Sequence, residues 1–393
     1  MKEVVIVGGA RTAVGDFFGA VKDVSAIDLG IVAFKGALEK AGITPEQVES
    51  IVAGHTCQAG VPGNIARLIS LNAGCKVESY AATVHQQCPS SMRAAEILSH
   101  EIMLGKVEIG AAVGTESMTN VPYVLNKARR GYRLGDGEPL LDSMFVSGLI
   151  CPWNGYHMGV TAENIAEMYN ISREEQDQLA LMSHQRASQA IEKGWFKDEI
   201  VPVEVKTKKG TTIFDTDEHV KANTTLEALA QLKPAFKKGG TVTAGNASGL
   251  NDAASSIIMM SADKAKELNI KPLARVVASA SGGVDPKIMG MSVVPAVQRA
   301  LKFAGLQQSD IGYWEINEAF AAQVLGVNRE LKIDWEILNG VGGGVSIGHP
   351  VGATGCRLII TLINEMKRRN VRYGCASLCA SGGPGVAFIV ESI

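Results

Sequence analysis

The sequence predicts an α/β protein built from two copies of one unit with an insertion between them. Apolar runs of strand length alternate with helical patterns, which is typical of a largely buried sheet covered by helices. The segment ALEKAGITPEQVESI, which starts at Ala37, matches ALKFAGLQQSDIGYW, which starts at Ala300. Glycine is abundant, at 43 of 393 residues against about 7% in average proteins. The backbone therefore has to turn tightly or approach other groups closely at many points.

Further matches at nearly constant offset support the duplication. At an offset of 264, the residues at 91–93 fall on those at 355–357, and the strand GAAVGT from Gly110 falls on GCASLC from Gly374. Several matches in one register argue for two copies of an α/β unit. We predict an N-terminal core at 1–120, an inserted loop domain at 121–249 and a C-terminal core at 250–393.

The insertion contains signals for the start and the end of a helix. Ser172 with Glu175 three residues later fits a capping box that opens a helix, and Gly194 fits the stop at its end. Long insertions in a compact fold commonly serve as lids or ligand-binding loops. We therefore expect residues 121–249 to contribute to substrate binding.

Charge and cysteine content narrow the class of protein. The formal net charge of −2 supplies no basic field for nucleic acid and no polybasic membrane patch. The first apolar run, residues 4–7, is too short for a signal peptide, and we expect no membrane span. Seven scattered cysteines, an odd number, favour an intracellular, cytoplasmic protein with free thiols over a disulfide framework.

Cys88 is the first candidate for chemistry. It lies between a predicted strand at 80–84 and a predicted helix from Ser91 onward. A thiol at such a junction faces the positive end of the helix dipole, which favours the thiolate and hence nucleophilic attack. The alternative is a small core residue, which is the commoner role of a lone free cysteine.

Three further residues lie next to glycine-rich or strand-end segments. His349, in GGGVSIGHPVGATG, is presented by backbone that turns or approaches something closely, and could accept a proton from a thiol. Cys379 ends an apolar strand, at the edge where ligands collect in α/β sheets. Asn317 follows another strand and precedes a helix. Each also has a structural interpretation: a hydrogen-bonded histidine, a core cysteine and a helix N-cap.

Metal and nucleotide sites are not favoured. His349, Cys356, Cys375 and Cys379 form the zinc set that we considered, and we expect strand geometry to keep the last two from facing one ion. No GxxxxGK[ST] phosphate loop occurs, and the GGA near the start lacks the GxGxxG spacing of a dinucleotide site.

Eight motifs taken together resolve these alternatives. In chain order they are VHQQCPSS, GTESMTNVPY, YHMGVTAEN, GTVTAGNASGLND, GVDPKIMG, NEAF, GHPVGATGCR and CASGGPG. The chain resembles the thiolase family, of the acetoacetyl-CoA thiolase or acetyl-CoA C-acetyltransferase type, over essentially its whole length. The resemblance implies two duplicated α/β core domains layered as an αβαβα sandwich, plus an inserted loop domain. It also implies an acyltransferase that condenses two acetyl-CoA into acetoacetyl-CoA plus CoA, or cleaves short 3-ketoacyl-CoA, through an acyl-cysteine in ping-pong order.

The resemblance implies a role for each matching residue of the site. Cys88 matches the nucleophile, and His349 matches the residue that activates it and helps to bind the thioester oxygen of the second substrate. Cys379 matches the acid/base that exchanges a proton with the acetyl methyl group. Asn317 matches the residue that holds a water in a first oxyanion hole. The backbone N–H groups of Cys88 and Ser381 match a second oxyanion hole, for the acyl-enzyme.

Substrate contacts and partners are implied in the same way. Lys233 and the pair Arg129–Arg130 are candidates for the adenosine phosphates, with a solvated basic face as the alternative. No metal or organic cofactor is implied, CoA thioesters are the substrates, and a homo-oligomer, a dimer or a dimer of dimers, is expected. The matching substrate contacts, each equally plausible as ordinary core, are His157, Met158, Met289 and Phe320 for the acyl pocket and Ser248 for the pantetheine arm.

Four residues depart from the family pattern. Pro89 follows the nucleophile, where it is tolerated in a first helical turn but removes one N–H. Ser91 replaces a glycine expected at the wall of the site, and His85 replaces an asparagine. Ser381 replaces a glycine, so the second oxyanion hole persists only if this residue avoids positive φ.

Two other functions compete with short-chain thiolysis at the sequence level. A ketoacyl synthase would pair its cysteine with two histidines or a histidine and an asparagine, and Cys379 argues against it. The altered CPSS and CASGG strings motivate a non-catalytic acyl-CoA or lipid-binding protein. A thiolase with a broader range of 3-ketoacyl-CoA substrates is a third possibility.

Overall fold

Strands and helices alternate along most of the chain in the computed structural model, which describes residues 1–135, 137–208 and 210–393. The strands are β1 (Val4–Arg11), β2 (Gly15–Asp16), β3 (Ser50–Gly54), β4 (Tyr80–Val84), β5 (Ile109–Ser117), β6 (Tyr123–Val124), β7 (Leu141–Asp142), β8 (Val203–Thr207), β9 (Gly210–Phe214), β10 (Asn251–Ser261), β11 (Ala274–Gly283), β12 (Ile311–Ile316), β13 (Tyr373–Cys379) and β14 (Pro384–Ser392). The helices are α1 (Ala26–Ala41), α2 (Ile65–Ala73), α3 (Ser90–Met103), α4 (Met158–Met168), α5 (Arg173–Glu192), α6 (Leu226–Ala230), α7 (Ala262–Glu267), α8 (Val293–Ala304), α9 (Ala321–Leu331) and α10 (Thr354–Arg369).

The main sheet has two halves with the same internal pairing. In the first half the order is β4-β3-β5-β10-β1, and in the second it is β12-β13-β14-β11. Both halves pair their first strand with their last in antiparallel fashion. Toward the outer edge, the first half has the parallel strands β5, β3 and β4, and the second has the parallel pair β13 and β12. Two residue pairs, Val5 with Arg275 and Ile6 with Ala274, join the halves edge to edge. The duplication inferred from the self-match is therefore present in the strand order.

The layer order follows from the helices that pack on each face of the sheet. Val4 and Ile6 of β1 pack into a core shared with α3 and α10, whereas Val5 and Val7 pack on the opposite side against α1. The second half of the sheet buries one face in the same central core and the other against α8 and α9. The result is the predicted αβαβα order, with α3 and α10 as the middle layer. Within the described ranges, no helix is long and apolar enough to cross a membrane.

The boundary of the second copy differs from the prediction. We assigned residues from 250 onward to the C-terminal core, but β10 lies between β1 and β5 and completes the first half of the sheet. Periodicity did not reveal this because β10 is buried on both faces and pairs with strands far away in sequence. We propose that the second copy begins at β11. In the second copy, the counterpart of strand β4 is reduced to one parallel bridge, between Trp314 of β12 and Leu338.

The predicted helix signals are confirmed. Ser172 caps α5 and forms a capping box with Glu175, and Gly194 just beyond the helix takes a left-handed conformation at φ 69°. The helices of the duplicated segment, α1 and α8, both stop at a left-handed glycine, Gly42 and Gly305. A glycine pays no Cβ penalty in this conformation, which explains the repeated Ala-Gly stop.

Helix α1 packs closely against strand β1 at Gly8. A Cβ there would lie 2.5 Å from the carbonyl oxygen of Ala37 and 2.8 Å from the Cβ of Ala41. Overpacking of this kind costs about 1–3 kcal/mol, so we expect Gly8→Ala to lower the free energy of unfolding by that amount. Gly283→Ala is the control, because its Cβ meets nothing within 4 Å. Urea unfolding measures both, and equal stabilities would contradict the close packing of α1.

Candidate active site

Cys88 lies in a strained turn between β4 and α3. Gln87, directly before it, has φ 60°, a left-handed conformation that is uncommon for this residue type. Pro89 follows as the N-cap of α3, and its carbonyl accepts a hydrogen bond from the N–H of Arg93 at 2.8 Å. Six of the seven cysteines are buried, and Cys88 is the partly exposed one. The turn therefore presents one thiol to the outside of the core.

Burial governs the protonation of that thiol. Burial raises the pKa of Cys88 to about 12, although the backbone N–H groups of Cys88 and Ser381 act in the opposite direction. The thiolate that the helix dipole suggested is therefore not the resting form at neutral pH. Desolvation of the charged sulfur outweighs the field of the helix terminus and the two N–H donors. The resting group is a thiol that faces two ready donors.

The loop before α10 orients His349. Its backbone N–H donates to Asn251 Oδ1 at 2.9 Å, and Gly348, at φ 107°, lets the chain pass close to that asparagine. On the ring, Nδ1 lies 2.7 Å from the hydroxyl of Thr354, which can itself donate to the carbonyl of Pro350 at 2.9 Å. This arrangement favours a proton on Nδ1 and leaves Nε2 unprotonated. Nε2 is thus the basic nitrogen of the ring.

His349 is neutral at rest. Burial and the nearby guanidinium of Arg357 lower its pKa to about 3, against a smaller opposing effect of Glu116. Arg357 is itself 2% exposed, so its charge is felt at low dielectric. A thiol and a neutral imidazole therefore make up the resting site.

Asn317 is part of the site and is not a helix cap. The helix after NEAF, α9, begins at Ala321 with Phe320 at its N-cap position. Asn317 instead directs its side-chain nitrogen to within 3.4 Å of Nε2 of His349, and its buried Oδ1 has no hydrogen-bond partner among the residues that the structure describes. Gly344 makes this possible, because a Cβ there would lie 3.0 Å from Oδ1 of Asn317.

Cys379 and Ser381 come from the turn after β13. Cys379 is 1% exposed, and burial together with the nearby Cys88 raises its pKa well above the ordinary range. Ser381 does not have a positive φ, whereas Gly382 and Gly383 after it have φ 86° and 98°. Ser381 therefore avoids the positive φ that would have disrupted the second oxyanion hole, because the two glycines take the left-handed positions. The N–H of Ser381 acts to lower the pKa of the Cys88 thiol, against the effect of burial.

A cavity of about 480 Å³ adjoins these residues, although Asn317 and Cys379 are not among those that line it. Cys88, His349 and Ser381 form part of its wall. The insertion and the second half of the sheet supply most of the remaining surface. All five residues predicted to contact substrate line it: His157, Met158, Ser248, Met289 and Phe320.

An aromatic wall closes one side of the cavity. His157 stacks on Phe236 with ring centroids 4.6 Å apart, and Phe236 meets Phe320 edge-on at 6.0 Å. The Nδ1 of His157 accepts from the N–H of Gly159 at 3.0 Å and so caps α4. Because Nδ1 accepts, the proton of the neutral ring is on Nε2. Burial lowers the pKa of His157, which keeps it neutral.

Comparison with known proteins identifies the family. The thiolase N-terminal domain model matches residues 4–263, and the thiolase C-terminal domain model matches residues 270–392. This chain belongs to the thiolase family. An acetyl-CoA acetyltransferase of Syntrophomonas wolfei is 50% identical over 397 residues, with all of both chains covered. The predicted family, fold and acyltransferase class are therefore confirmed.

Solved structures of thiolases agree with this fold. The structure of an acetyl-CoA acetyltransferase from Syntrophomonas wolfei has a TM-score of 0.98 at 47% identity and covers 100% of both chains. The human mitochondrial 3-ketoacyl-CoA thiolase has a TM-score of 0.97 at 42% identity, with 100% of this chain and 99% of that one covered. The layered architecture is thus that of thiolases in general.

Several residues that the sequence analysis linked to this thiolase site lie outside the cavity wall. Ser91 is not at its wall: it is fully buried, and its hydroxyl accepts from the N–H of Cys356 at 3.0 Å. His85 is exposed and outside the cavity lining. Neither Lys233 nor the pair Arg129–Arg130 lines the cavity, whereas Lys221 does.

Several lining residues of the thiolase cavity escaped the sequence analysis. Leu149 and Phe145 lie in a segment without clear periodicity, and Phe236 is distant in sequence from its stacking partner His157. The string LKPAF was the one available signal for Phe236. The cavity walls that were missed include Met118, Phe145, Leu149, His219, Lys221 and Phe236.

The zinc hypothesis finds no ligand set. Cys375 and Cys379 do face the same core, contrary to the expectation that strand geometry separates them, since they are four residues apart on β13. Among the residues that the structure describes, however, no group of three or more His, Cys, Asp or Glu side chains could hold a metal ion.

The raised pKa of Cys88 predicts an unusual alkylation profile. With a pKa of about 12, the thiolate fraction increases about tenfold per pH unit from pH 7 to 10 without levelling off. We expect the rate of modification by iodoacetamide, followed by mass spectrometry of the Cys88 peptide, to rise over that whole range. The urea-unfolded chain is the control and should level off near the ordinary value of about 8.5. A plateau below pH 8 in the folded enzyme would show a thiolate at rest.

Proposed function

We propose that this thiolase acts as an acetyl-CoA acetyltransferase, with Cys88 as the nucleophile. The observation that carries the proposal is that Cys88 and His349, from opposite halves of the duplicated fold, line one cavity together with Ser381. Relatives that cover the whole chain at 44–50% identity carry the name acetyl-CoA acetyltransferase. The reaction is the cleavage of acetoacetyl-CoA by CoA, or its reverse.

The first half-reaction forms the acyl-enzyme. The sulfur of Cys88 attacks the keto carbon of acetoacetyl-CoA while its proton passes to Nε2 of His349. The bond between the α-carbon and the keto carbon then breaks, and its electron pair goes to the α-carbon as an enolate. A neutral base that becomes charged only during this step is consistent with the lowered pKa of His349.

Cys379 completes this step as the acid. Its buried thiol carries a proton at neutral pH, because its pKa is raised, and donates it to the enolate carbon to give acetyl-CoA. In the second half-reaction the thiol of CoA gives its proton to the Cys379 thiolate and attacks the acetyl-Cys88 thioester. The sulfur of Cys88 leaves and regains its proton from Nε2 of His349, and a second acetyl-CoA departs. Condensation is the same route in reverse, with the Cys379 thiolate removing a proton from the methyl group.

Two sets of donors stabilise the negative oxygens. The N–H groups of Cys88 and Ser381, which act to lower the pKa of the resting thiol, would serve the oxygen of the acyl-enzyme. Asn317 and Nε2 of His349, 3.4 Å apart, would serve the thioester oxygen of the enolate, with Asn317 acting through a water. Losing one such donor typically costs about 2.7–4 kcal/mol of barrier, because charge develops at these oxygens in a dry site.

The cavity wall favours a short acyl chain. Met158, Met289 and Phe320 are each less than 10% exposed and close the cavity with apolar surface. Ser248, whose N–H donates to the carbonyl of Ala319 at 3.0 Å, ties the pantetheine side of the wall to the NEAF segment. We propose Lys221 as the cationic contact for the CoA phosphates. No cofactor is needed beyond the CoA thioester substrates.

We propose that the chain works as a homo-oligomer in the cytoplasm. All seven cysteines are free, which suits a reducing compartment. Strand β4 is an edge strand that pairs with β3 alone, and its Tyr80 is 47% exposed, so it offers a surface for a second copy. Light scattering should give a mass of two or four times 41.5 kDa. A monomer of full activity would contradict this proposal.

Cysteine variants test the assigned roles. We expect Cys88→Ala to abolish thiolysis of acetoacetyl-CoA. We expect Cys379→Ala to lose turnover by at least about 10³-fold while acetyl-CoA still transfers its acetyl group to Cys88, because only the carbon acid/base is missing. Cys375→Ala, which removes another buried sulfur from β13, is the matched control with near-normal turnover. The assays are CoA-dependent cleavage and mass spectrometry of the acetylated protein. Normal cleavage by both active-site variants would contradict the mechanism.

A chain-length series tests the substrate range. We expect thiolysis to fall steeply from the C4 to the C8 3-ketoacyl-CoA, because the bulky apolar side chains of Met289 and Phe320 form part of the cavity wall. Met289→Ala should raise kcat/KM for the C6 substrate relative to C4. Equal activity on C4 and C8 substrates in the unaltered enzyme would favour the alternative of a broad-range 3-ketoacyl-CoA thiolase, which is the activity named for one structural neighbour.

A further inference from the structure

A buried carboxylate behind the active site collects donors from two separate loops. Glu116 at the end of β5 is fully buried. Its Oε2 accepts from the N–H of Thr56 at 3.0 Å and of Gly352 at 2.9 Å, and its Oε1 accepts from the N–H of Cys57 at 3.1 Å. Nδ1 of His55 lies 3.1 Å from Oε1. The residue lies outside the wall of the substrate cavity.

The surroundings keep this carboxylate charged. Burial would raise the pKa of Glu116, but the facing His55 and the N–H groups of Thr56 and Cys57 outweigh it and hold the pKa below its ordinary value. His55 is 2% exposed, and its Nδ1 lies 2.9 Å from the carbonyl of Thr115 as well. An ionised acceptor forms stronger hydrogen bonds than a neutral one, so these loops are held firmly.

One line of contacts leads from Glu116 to the nucleophile. Thr56, held through its backbone N–H, donates its hydroxyl to the carbonyl of Gln87 at 3.1 Å. Gln87 is the residue with φ 60° directly before Cys88. A strained conformation persists only where neighbouring groups hold it. The bond from Thr56 therefore helps to fix where the sulfur of Cys88 lies.

A second line of contacts leads to the base. Gly352 follows His349 by three residues, and Val351 between them lines the cavity and packs on Cys57. A Cβ on Gly352 would lie 2.6 Å from Oε2 of Glu116 and 2.8 Å from the carbonyl of Thr115. The loop that carries His349 can therefore approach Glu116 only because this position is a glycine.

We propose that Glu116 is a positioning residue that sets the separation of Cys88 and His349. It touches neither substrate nor the reacting atoms, and it acts by holding both loops on one carboxylate. The predicted effect of Glu116 on turnover rests on the function proposed above. Its predicted effect on the stability of the two loops does not, because that effect depends only on the contacts described above.

The first test is a double-mutant cycle. We expect Glu116→Ala to lower kcat by about 10- to 100-fold with KM nearly unchanged, since a shift of about 1 Å in a reacting group can cost about 10²-fold. Glu116→Gln keeps one oxygen for Gly352 and Thr56, so it should recover most of the rate. Gly352→Ala disturbs the same contact from the side of the His349 loop and should lower kcat by a similar factor. The double variant Glu116→Ala with Gly352→Ala should lose no more than the worse single variant, because both disturb one contact.

Hydrogen exchange supplies a readout that does not depend on activity. In Glu116→Ala, exchange should rise in peptides that cover 55–58 and 348–354 together and stay unchanged elsewhere. Glu199→Gln is the matched control, a buried carboxylate bonded to Arg11 and Thr361, and should leave both peptides and kcat unchanged. If Glu116→Ala does not fold, Gly352→Ala carries both measurements.

The outcomes separate the two proposals. An unaltered enzyme that fails to cleave any 3-ketoacyl-CoA would refute the proposed function, while the exchange data would still decide the role of Glu116. An unchanged kcat in Glu116→Ala, losses that multiply in the double variant, or exchange that rises throughout the chain would overturn the positioning role. The positioning role is supported if exchange rises only in the two peptides and the double variant loses no more kcat than the worse single variant.

Discussion

The close crossing of α3 and α10 between the two halves of the sheet is the contact on which the site depends. At the crossing, a Cβ on Gly355 would lie 2.3 Å from the backbone nitrogen of Met92. Gly54, at the end of β3, approaches the same end of α3, where its Cβ would lie 2.2 Å from the backbone nitrogen of Ser91. Neither approach is possible for a residue with a side chain. The hydroxyl of Ser91 then bonds to the N–H of Cys356 across the interface. Because Cys88 lies two residues before α3 and His349 five residues before α10, this contact brings the proposed nucleophile and base to one place.

Burial then determines how the chemistry can run. The same packing that brings the groups together removes them from water, so the pKa of Cys88 rises to about 12 and that of His349 falls to about 3. Charged forms are costly in such surroundings unless donors or counter-charges meet them. The site supplies donors at the places where charge develops during reaction. Its resting state is therefore neutral.

The sequence predicted a large part of this arrangement. The self-match predicts the duplicated strand order, and the motifs predict Cys88, His349 and Ser381, which all line the cavity. Contacts between distant segments were harder to predict. Ser91 was expected at the wall of the site but lies at the helix crossing, and Glu116 was inside a quoted motif with no role attached. Strand β10 was assigned to the wrong half, since its pattern of buried residues does not say which strands it pairs with.

The sequence by itself determined the family, the duplication and the residue types of the chemistry, because these are carried by motifs and periodicities that are local in the chain. The tertiary structure decided the protonation states, the cavity walls and the contacts of Glu116. Those properties arise from groups that are far apart in sequence, such as Phe236 against His157 and Gly352 against Glu116. The abundance of glycine connects the two levels. Composition foretold that the backbone approaches other groups closely, and the folded chain places such approaches at the helix crossing and beside His349, where a Cβ would have no space.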